Sequence, residues 1–147
     1  VYPMTLAHLL LGPPEEMEVE AILADTGVDE QVGVVSRHRD GAMSVISATL
    51  AADTGVEATI SGPEGRIRLH NPFLEAPAVT LHRDGDLVES FDTSYEGNGW
   101  RFQVEEAQRC LAEGRIESEL RPLDDTLAVM RWMDEVRRRA GVGYPGE

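Results

Sequence analysis

The chain contains no lysine; its 13 permanently cationic side chains are all arginine. Schiff-base chemistry and lysine-assisted proton transfer are therefore impossible within this chain alone. A single cysteine excludes a disulfide framework and a Cys-rich zinc site. The apolar run Leu9-Leu10-Leu11 is far too short for a membrane span, and no apolar run in the chain exceeds four residues. No basic segment precedes that run as it would in a signal peptide, so the cytoplasm is the expected location. Positive charge is scarce: 27 acids against 13 arginines give a net charge of -14. That balance argues against nucleic acid and anionic membranes as partners, because both select a cationic surface. What remains is an ordinary folded composition, with 41% hydrophobic residues and 14 glycines in 147 positions. This length suits one domain.

Periodicity divides the chain into helix, strands and helix. Residues 3–11 read as a short helix with Pro3 in its first turn, ended by Gly12-Pro13-Pro14. So little chain precedes this helix that an upstream domain is expected outside the 147 residues. Met17, Val19 and Ala21 then alternate with glutamates, the mark of a half-buried strand. Further strands follow at 32–38, 43–50, 56–60, 66–70, 79–82 and 87–91, with turn signals at Asp40-Gly41, Gly62-Pro63-Glu64-Gly65 and Asp84-Gly85. The last third is helical. Val104, Ala107 and Leu111 form one apolar face, with Cys110 beside them. Leu123, Leu127, Met130, Met133, Val136 and Ala140 form a second stripe. It is opened by Asp124-Asp125 and closed by Arg137-Arg138-Arg139 and Gly141, as the helix dipole favours.

These elements predict an α+β fold: a mostly antiparallel open sheet of about six strands with helices on one face. Strands with apolar residues on both sides, such as Val45 next to Ile46, predict that the open face meets a second copy as a homodimer.

Little local chemistry is visible. Glu96-Gly97-Asn98-Gly99 has two glycines at dinucleotide-loop spacing, but Phe102 stands where the third is needed and no βαβ unit follows. His8, His38, His70 and His82 are scattered, without metal-ligand spacing, and read as surface histidines. Cys110 reads as core. Tyr2 is the functional lead: it precedes Pro3 at a helix N-terminus, where negative charge is favoured. A phenol ordinarily titrates at about 10, so catalysis near neutrality needs a cation beside it. This chain has no lysine for that task.

Several segments, in order, resemble a known family. The opening residues 1–13, Ile60-Ser61-Gly62-Pro63-Glu64-Gly65-Arg66-Ile67, Asn71-Pro72-Phe73, residues 97–106, Pro122-Leu123-Asp124-Asp125-Thr126-Leu127 and the ending 134–145 match its motif order. The chain resembles the C-terminal domain of a Gfo/Idh/MocA oxidoreductase, closest to the dihydrodiol dehydrogenase-like branch. The resemblance implies a C-terminal domain of the glyceraldehyde-3-phosphate dehydrogenase-like type. Residues 1–147 would be a single substrate-binding and oligomerisation domain, and the N-terminal Rossmann domain that binds NAD or NADP would lie outside this chain. It further implies a dehydrogenase that moves a hydride from a small alcohol, diol or sugar to the nicotinamide. Tyr2 would be the general acid/base, assisted by a lysine of the missing part. Thr5 stands where many members have an aspartate, which points away from sugar-type members such as inositol dehydrogenases. Thr5, Phe73 and Phe102 are the candidate substrate contacts. No cofactor-binding or metal-binding residue is expected in this chain, and the fragment alone is expected to bind no dinucleotide and to be inactive. The alternative is a stand-alone, non-catalytic ligand-binding or dimerisation module that shares only the fold.

Overall fold

The computed structural model describes residues 1–144. In chain order the elements are helix α1 (Tyr2–Leu11), strands β1 (Glu16–Leu23), β2 (Asp29–Arg37), β3 (Met43–Thr49), β4 (Ala58–Gly62), β5 (Gly65–Leu69), β6 (Ala78–Arg83) and β7 (Asp86–Asp92), then helices α2 (Trp100–Ala112) and α3 (Leu123–Ala140). The α+β class and the antiparallel pairing are as expected. The strands number seven, and their hydrogen bonds form two sets, β1-β2-β3 and β4-β5-β6-β7, where the sequence suggested one sheet of about six. The division falls at residues 50–57, which form no strand. Ala51-Ala52-Asp53-Thr54-Gly55 offers small and turn-forming residues and no alternating apolar face to bury. The chain forms two compact units, residues 1–53 with the chain from 119 onward, and residues 54–118. Pro145, the end of the tail motif, lies outside the described residues.

In the first unit, the register places Met17, Val19, Ala21, Val32, Val34, Ser36, Ser44 and Ile46 on one sheet face. Met4 and Ala7 of α1 and Val129 and Trp132 of α3 form the buried core, with Met17, Ile46, Met133 and Val136 packed against it. Helix α1 ends at Gly12, whose φ of 73° suits glycine. His8 Nε2 lies 3.3 Å from Asp125 Oδ1 and joins α1 to α3. Helix α3 has its acids in the first turn, its arginines in the last, and Gly141 in the left-handed conformation after them.

Two sequence expectations change here. The buried stripe of α3 is Val129, Trp132, Met133 and Val136, while Leu123, Leu127 and Met130 are exposed. Apolar residues cover more than one side of this helix, and the indole, whose burial removes the most area from water, takes the core position. His38 is not a surface histidine but fully buried, just beyond β2. Its Nδ1 is 3.0 Å from the Gly12 carbonyl oxygen and its Nε2 is 2.9 Å from Ser44 Oγ. The network assigns the tautomer: Nδ1–H donates to the carbonyl and Nε2 accepts the Ser44 hydroxyl proton. The ring meets Trp132 edge-on at 5.7 Å.

In the second unit the ladder rows are Ala58–Leu69–Val79–Phe91 and Ile60–Ile67–Leu81–Glu89 on one face, and Thr59–Arg68–Thr80–Ser90 on the other. One face is therefore almost wholly apolar and the other polar. On the polar face Thr80 Oγ1 lies 3.1 Å from His70 Nε2 and 3.2 Å from His82 Nε2. Gly65 turns the β4–β5 hairpin with φ 150°, and a Cβ there would stand 2.3 Å from the His82 carbonyl oxygen, so glycine is required. The apolar residues expected on one face of α2 are exposed at Val104 and Leu111, and Cys110 alone is buried on that helix.

The rotated α3 stripe is directly testable. Trp132→Ala is expected to cost about 3–5 kcal/mol in urea unfolding, the range for emptying a core aromatic position. Leu127→Ala is expected to stay within about 0.5 kcal/mol of wild type, as an exposed position does.

Candidate functional site

Tyr2 is the first residue of α1, with Val1 as its cap and Pro3 following in the first turn. Its side chain is 60% exposed. Thr5 lies three residues on, so the phenol and the hydroxyl share one helix face. The Thr5 N–H donates to the Val1 carbonyl at 2.9 Å, the bond that starts the helix and fixes the Tyr2 backbone. Among the described residues no hydrogen bond or ring contact engages Tyr2, so the phenol is free to meet a ligand. His8, two turns along the same helix, points the other way, into the contact with Asp125.

Phe73 and Phe102 belong to the second unit. Phe73 opens a 3₁₀ turn after the cis Asn71-Pro72 bond, and its N–H donates to the Val56 carbonyl at 2.7 Å. The Asn71 side chain accepts the Val56 N–H at 2.9 Å, so this loop is held from both sides. Phe102 is 46% exposed in the first turn of α2. It meets the Tyr95 ring edge-on at 5.1 Å, and the Arg101 guanidinium lies 4.8 Å from its centroid. No ring contact joins Phe73 to Phe102 among the described residues. Tyr95 and Arg101 are residues the sequence reading missed. The available signal was aromatic density: Tyr95, Trp100 and Phe102 fall within eight residues of a chain poor in aromatics.

Deeper in α2, Glu106 accepts a bidentate pair of hydrogen bonds from Arg109 at 2.8 and 2.9 Å, with Ser118 and the buried Cys110 thiol also bonded to it. Arg109 and then Ser118 hold the Glu106 carboxyl down at about 2. Burial, and then the Glu106 carboxylate, push the Cys110 thiol up, which makes it a poor nucleophile.

A dinucleotide does not fit these residues. Helix α2 follows β7 through Gly97 and Gly99, but the Tyr95 hydroxyl sits 2.8 Å from where a Gly99 Cβ would stand. Asn98 Oδ1 accepts the Trp100 N–H at 3.2 Å, so the chain's own groups occupy the helix entrance. The strand pairings among the described residues are all antiparallel, and the parallel βαβ cradle that presents pyrophosphate to a helix is missing. Among the described residues no group of three or more His, Cys, Asp or Glu is placed to hold a metal ion, and no helix is long and apolar enough to cross a membrane.

Comparison with known proteins decides the family. The chain is 28% identical over 170 residues to the D-xylose 1-dehydrogenase (NADP(+)) of Hypocrea jecorina, covering 99% of this chain and 43% of that protein. It is 30% identical over 143 residues to the trans-1,2-dihydrobenzene-1,2-diol dehydrogenase of Danio rerio, covering 89% and 41%. The chain is a homologue of the Gfo/Idh/MocA-type oxidoreductases and matches their C-terminal domain. It spans less than half the length of these relatives. The fold agrees: the UDP-N-acetylglucosamine 3-dehydrogenase of Acidithiobacillus ferrooxidans superposes with a TM-score of 0.80 at 14% identity, over 94% of this chain and 44% of that one. The aldose-aldose oxidoreductase of Caulobacter crescentus gives 0.76 at 18% identity, over 95% and 43%. No family model matches the chain.

Glu106 gives a pH prediction. Its folded pKa lies below its ordinary value of 4.5, so the stability it contributes is present above about 4.5 and is lost as pH falls towards about 2. Glu106→Gln is expected to flatten the loss of unfolding stability across that window, measured by denaturant titration at stepped pH, and to leave the pH 6–8 profile unchanged in shape.

Proposed function

We propose that residues 1–147 are the C-terminal substrate-binding and oligomerisation domain of an NAD(P)-dependent oxidoreductase acting on a small alcohol, diol or sugar. The observation that carries this reading is the exposed Tyr2 phenol at the first turn of α1, in a chain homologous to such dehydrogenases. The relatives' substrates, a sugar and a diol, support a small hydroxyl-bearing substrate, and the NADP(+) in the first relative's name supports the cofactor class. The dinucleotide belongs to residues outside this chain, and the choice between NAD and NADP is made there.

The chain's own share of the chemistry is proton transfer and orientation. Tyr2 accepts the proton of the substrate hydroxyl as the carbinol carbon is oxidised, and returns it in the reverse direction. A lysine from the rest of the enzyme makes the phenol a competent base, since no lysine is available here. Thr5, one turn along, hydrogen-bonds a second hydroxyl of the substrate. A second copy of the chain is the proposed protein partner, and the cytoplasm the proposed location.

The test uses the full-length enzyme and follows NAD(P)H formation with sugars and diols. Tyr2→Phe is expected to lower kcat by about 10²- to 10⁴-fold, the usual worth of a positioned acid/base, with dinucleotide affinity unchanged. Full activity in that variant sinks the assignment of Tyr2. The 147-residue chain alone is expected to show no NADH binding by fluorescence titration and no turnover.

A further inference from the structure

The polar face of the four-stranded sheet holds two arginines in contrasting settings. Arg68 is gripped by the Glu57 carboxylate at 2.6 Å. In the same row Thr80 is engaged by His70 and His82. The chain's own groups therefore satisfy that row. The next row towards the β4–β5 hairpin is Ser61–Arg66–His82. Here Arg66 is exposed and has no ion pair among the described residues, and the Ser61 hydroxyl has no hydrogen bond among them. With 27 acids to 13 arginines in the chain, a guanidinium left unclaimed is open to a ligand.

The row borders a hollow of about 210 Å³ at the turn end of the sheet, lined by Ser61, Arg66, His82 and Asp84 between the glycines of the two turns. These residues all belong to the second unit, whereas Tyr2 and Thr5 belong to the first. His82 turns its Nε2 to Thr80 and so serves as a wall. Asp84 holds the left-handed corner of the β6–β7 turn, with a φ of 52°. It too has no ion pair among the described residues. A guanidinium and a carboxylate thus share one hollow without meeting. Glu64 and Arg83 line the adjoining hollow of the same hairpin.

Such a hollow selects a ligand by its two ends. A guanidinium is a rigid fork that matches a carboxylate or phosphate bidentately. The Asp84 carboxylate repels anionic oxygens and accepts hydrogen from a donor. Phosphate, charged on every side, suits only the Arg66 half. The volume lies below the roughly 300–1,000 Å³ of sites for drug-sized molecules, which points to a ligand smaller than a nucleotide.

We infer that this row and Asp84 form a binding site for a small polyhydroxy carboxylate. The ligand's carboxylate pairs with Arg66, and its hydroxyls donate to Asp84 and bond Ser61. The choice of hydroxyl over ammonium as the donor rests on the proposed dehydrogenase activity. Loss of a hydride and a proton at the anomeric carbon of an aldose gives a lactone, and water opens the lactone to such an acid. The site then receives a product of the reaction on a unit that does not carry Tyr2.

Calorimetric titration of the 147-residue chain with sodium gluconate, without nucleotide, tests the site. The readout is binding alone, so the catalytic proposal stands or falls separately. One gluconate is expected to bind per chain. Acetate lacks the hydroxyls, glucose lacks the carboxylate, and alanine offers an ammonium in place of hydroxyls. These three and inorganic phosphate are each expected to bind at least about tenfold more weakly, the worth of a hydrogen bond to a charged group. Arg66→Gln is expected to weaken gluconate by about the same factor or more. Asp84→Gly, which suits the left-handed φ, is expected to weaken gluconate and to leave acetate unchanged. Arg68→Gln and Tyr2→Phe are expected to bind gluconate as the wild type does. Circular dichroism checks the folding of each variant, and Asp84→Gly carries the test if Arg66→Gln fails to fold. No gluconate binding, any of the four other probes binding as tightly as gluconate, full affinity in Arg66→Gln, or lost affinity in Tyr2→Phe would each overturn the inference.

Discussion

The arrangement of the first unit depends on one buried imidazole. His38 donates to the carbonyl that ends α1, accepts from Ser44 at the start of β3, and lays its ring against Trp132 of α3. Three elements far apart in sequence are thereby held by one side chain with no charge to desolvate. Either ring bond, if stranded, would leave a buried polar group unpaired at a cost of about 1–3 kcal/mol. The contact between His8 and Asp125 fixes the same helix against α3 at a second point. A ten-residue helix is a rod about 15 Å long, so fixing its C-terminal half sets the direction of its other end. Tyr2 is therefore aimed by residues that lie nowhere near it.

The electrostatics follow from the same economy. An arginine-only chain with twice as many acids has little cation to spare, and most of it is used locally. Arg109 is shared between Glu106 and Glu113, and Arg138 and Arg139 converge on Glu135. Such exposed pairs add little stability each. Among the described residues, the strands' outward glutamates Glu18 and Glu20 are left without an ion-pair partner.

Period-two alternation made β1, β5 and β6 legible, because a half-buried strand writes its orientation into every second residue. The α1 and α3 boundaries were equally legible from Pro3, Gly12, Asp124-Asp125 and Gly141, whose backbone preferences act locally. The depth at which a residue sits was not. His38 looks like any strand-end histidine until Gly12 and Ser44 close around it, and Trp132 claims the core from a stripe of smaller residues that fits the helical period just as well. The break in strand pairing at residues 50–57 was hidden because residues on both sides of it alternate normally. Tyr2 was singled out by its place before Pro3 at a helix N-terminus, and Thr5, Phe73 and Phe102 by motif order alone. Their local settings emerge only from the fold, and the ring stack of Tyr95, Arg101 and Phe102 was illegible because it is assembled across the turn into α2.

The Thr80 hydroxyl between His70 and His82 has one hydrogen to give. At most one imidazole can receive it, so the other must contribute a hydrogen from its own Nε2. His82 Nδ1 is enclosed without a partner, and a bare lone pair is less costly to enclose than an orphaned N–H. His82 is thus the ring that gives and His70 the ring that takes. The two histidines, alike in the sequence, are opposite tautomers, and the row of three side chains has a direction.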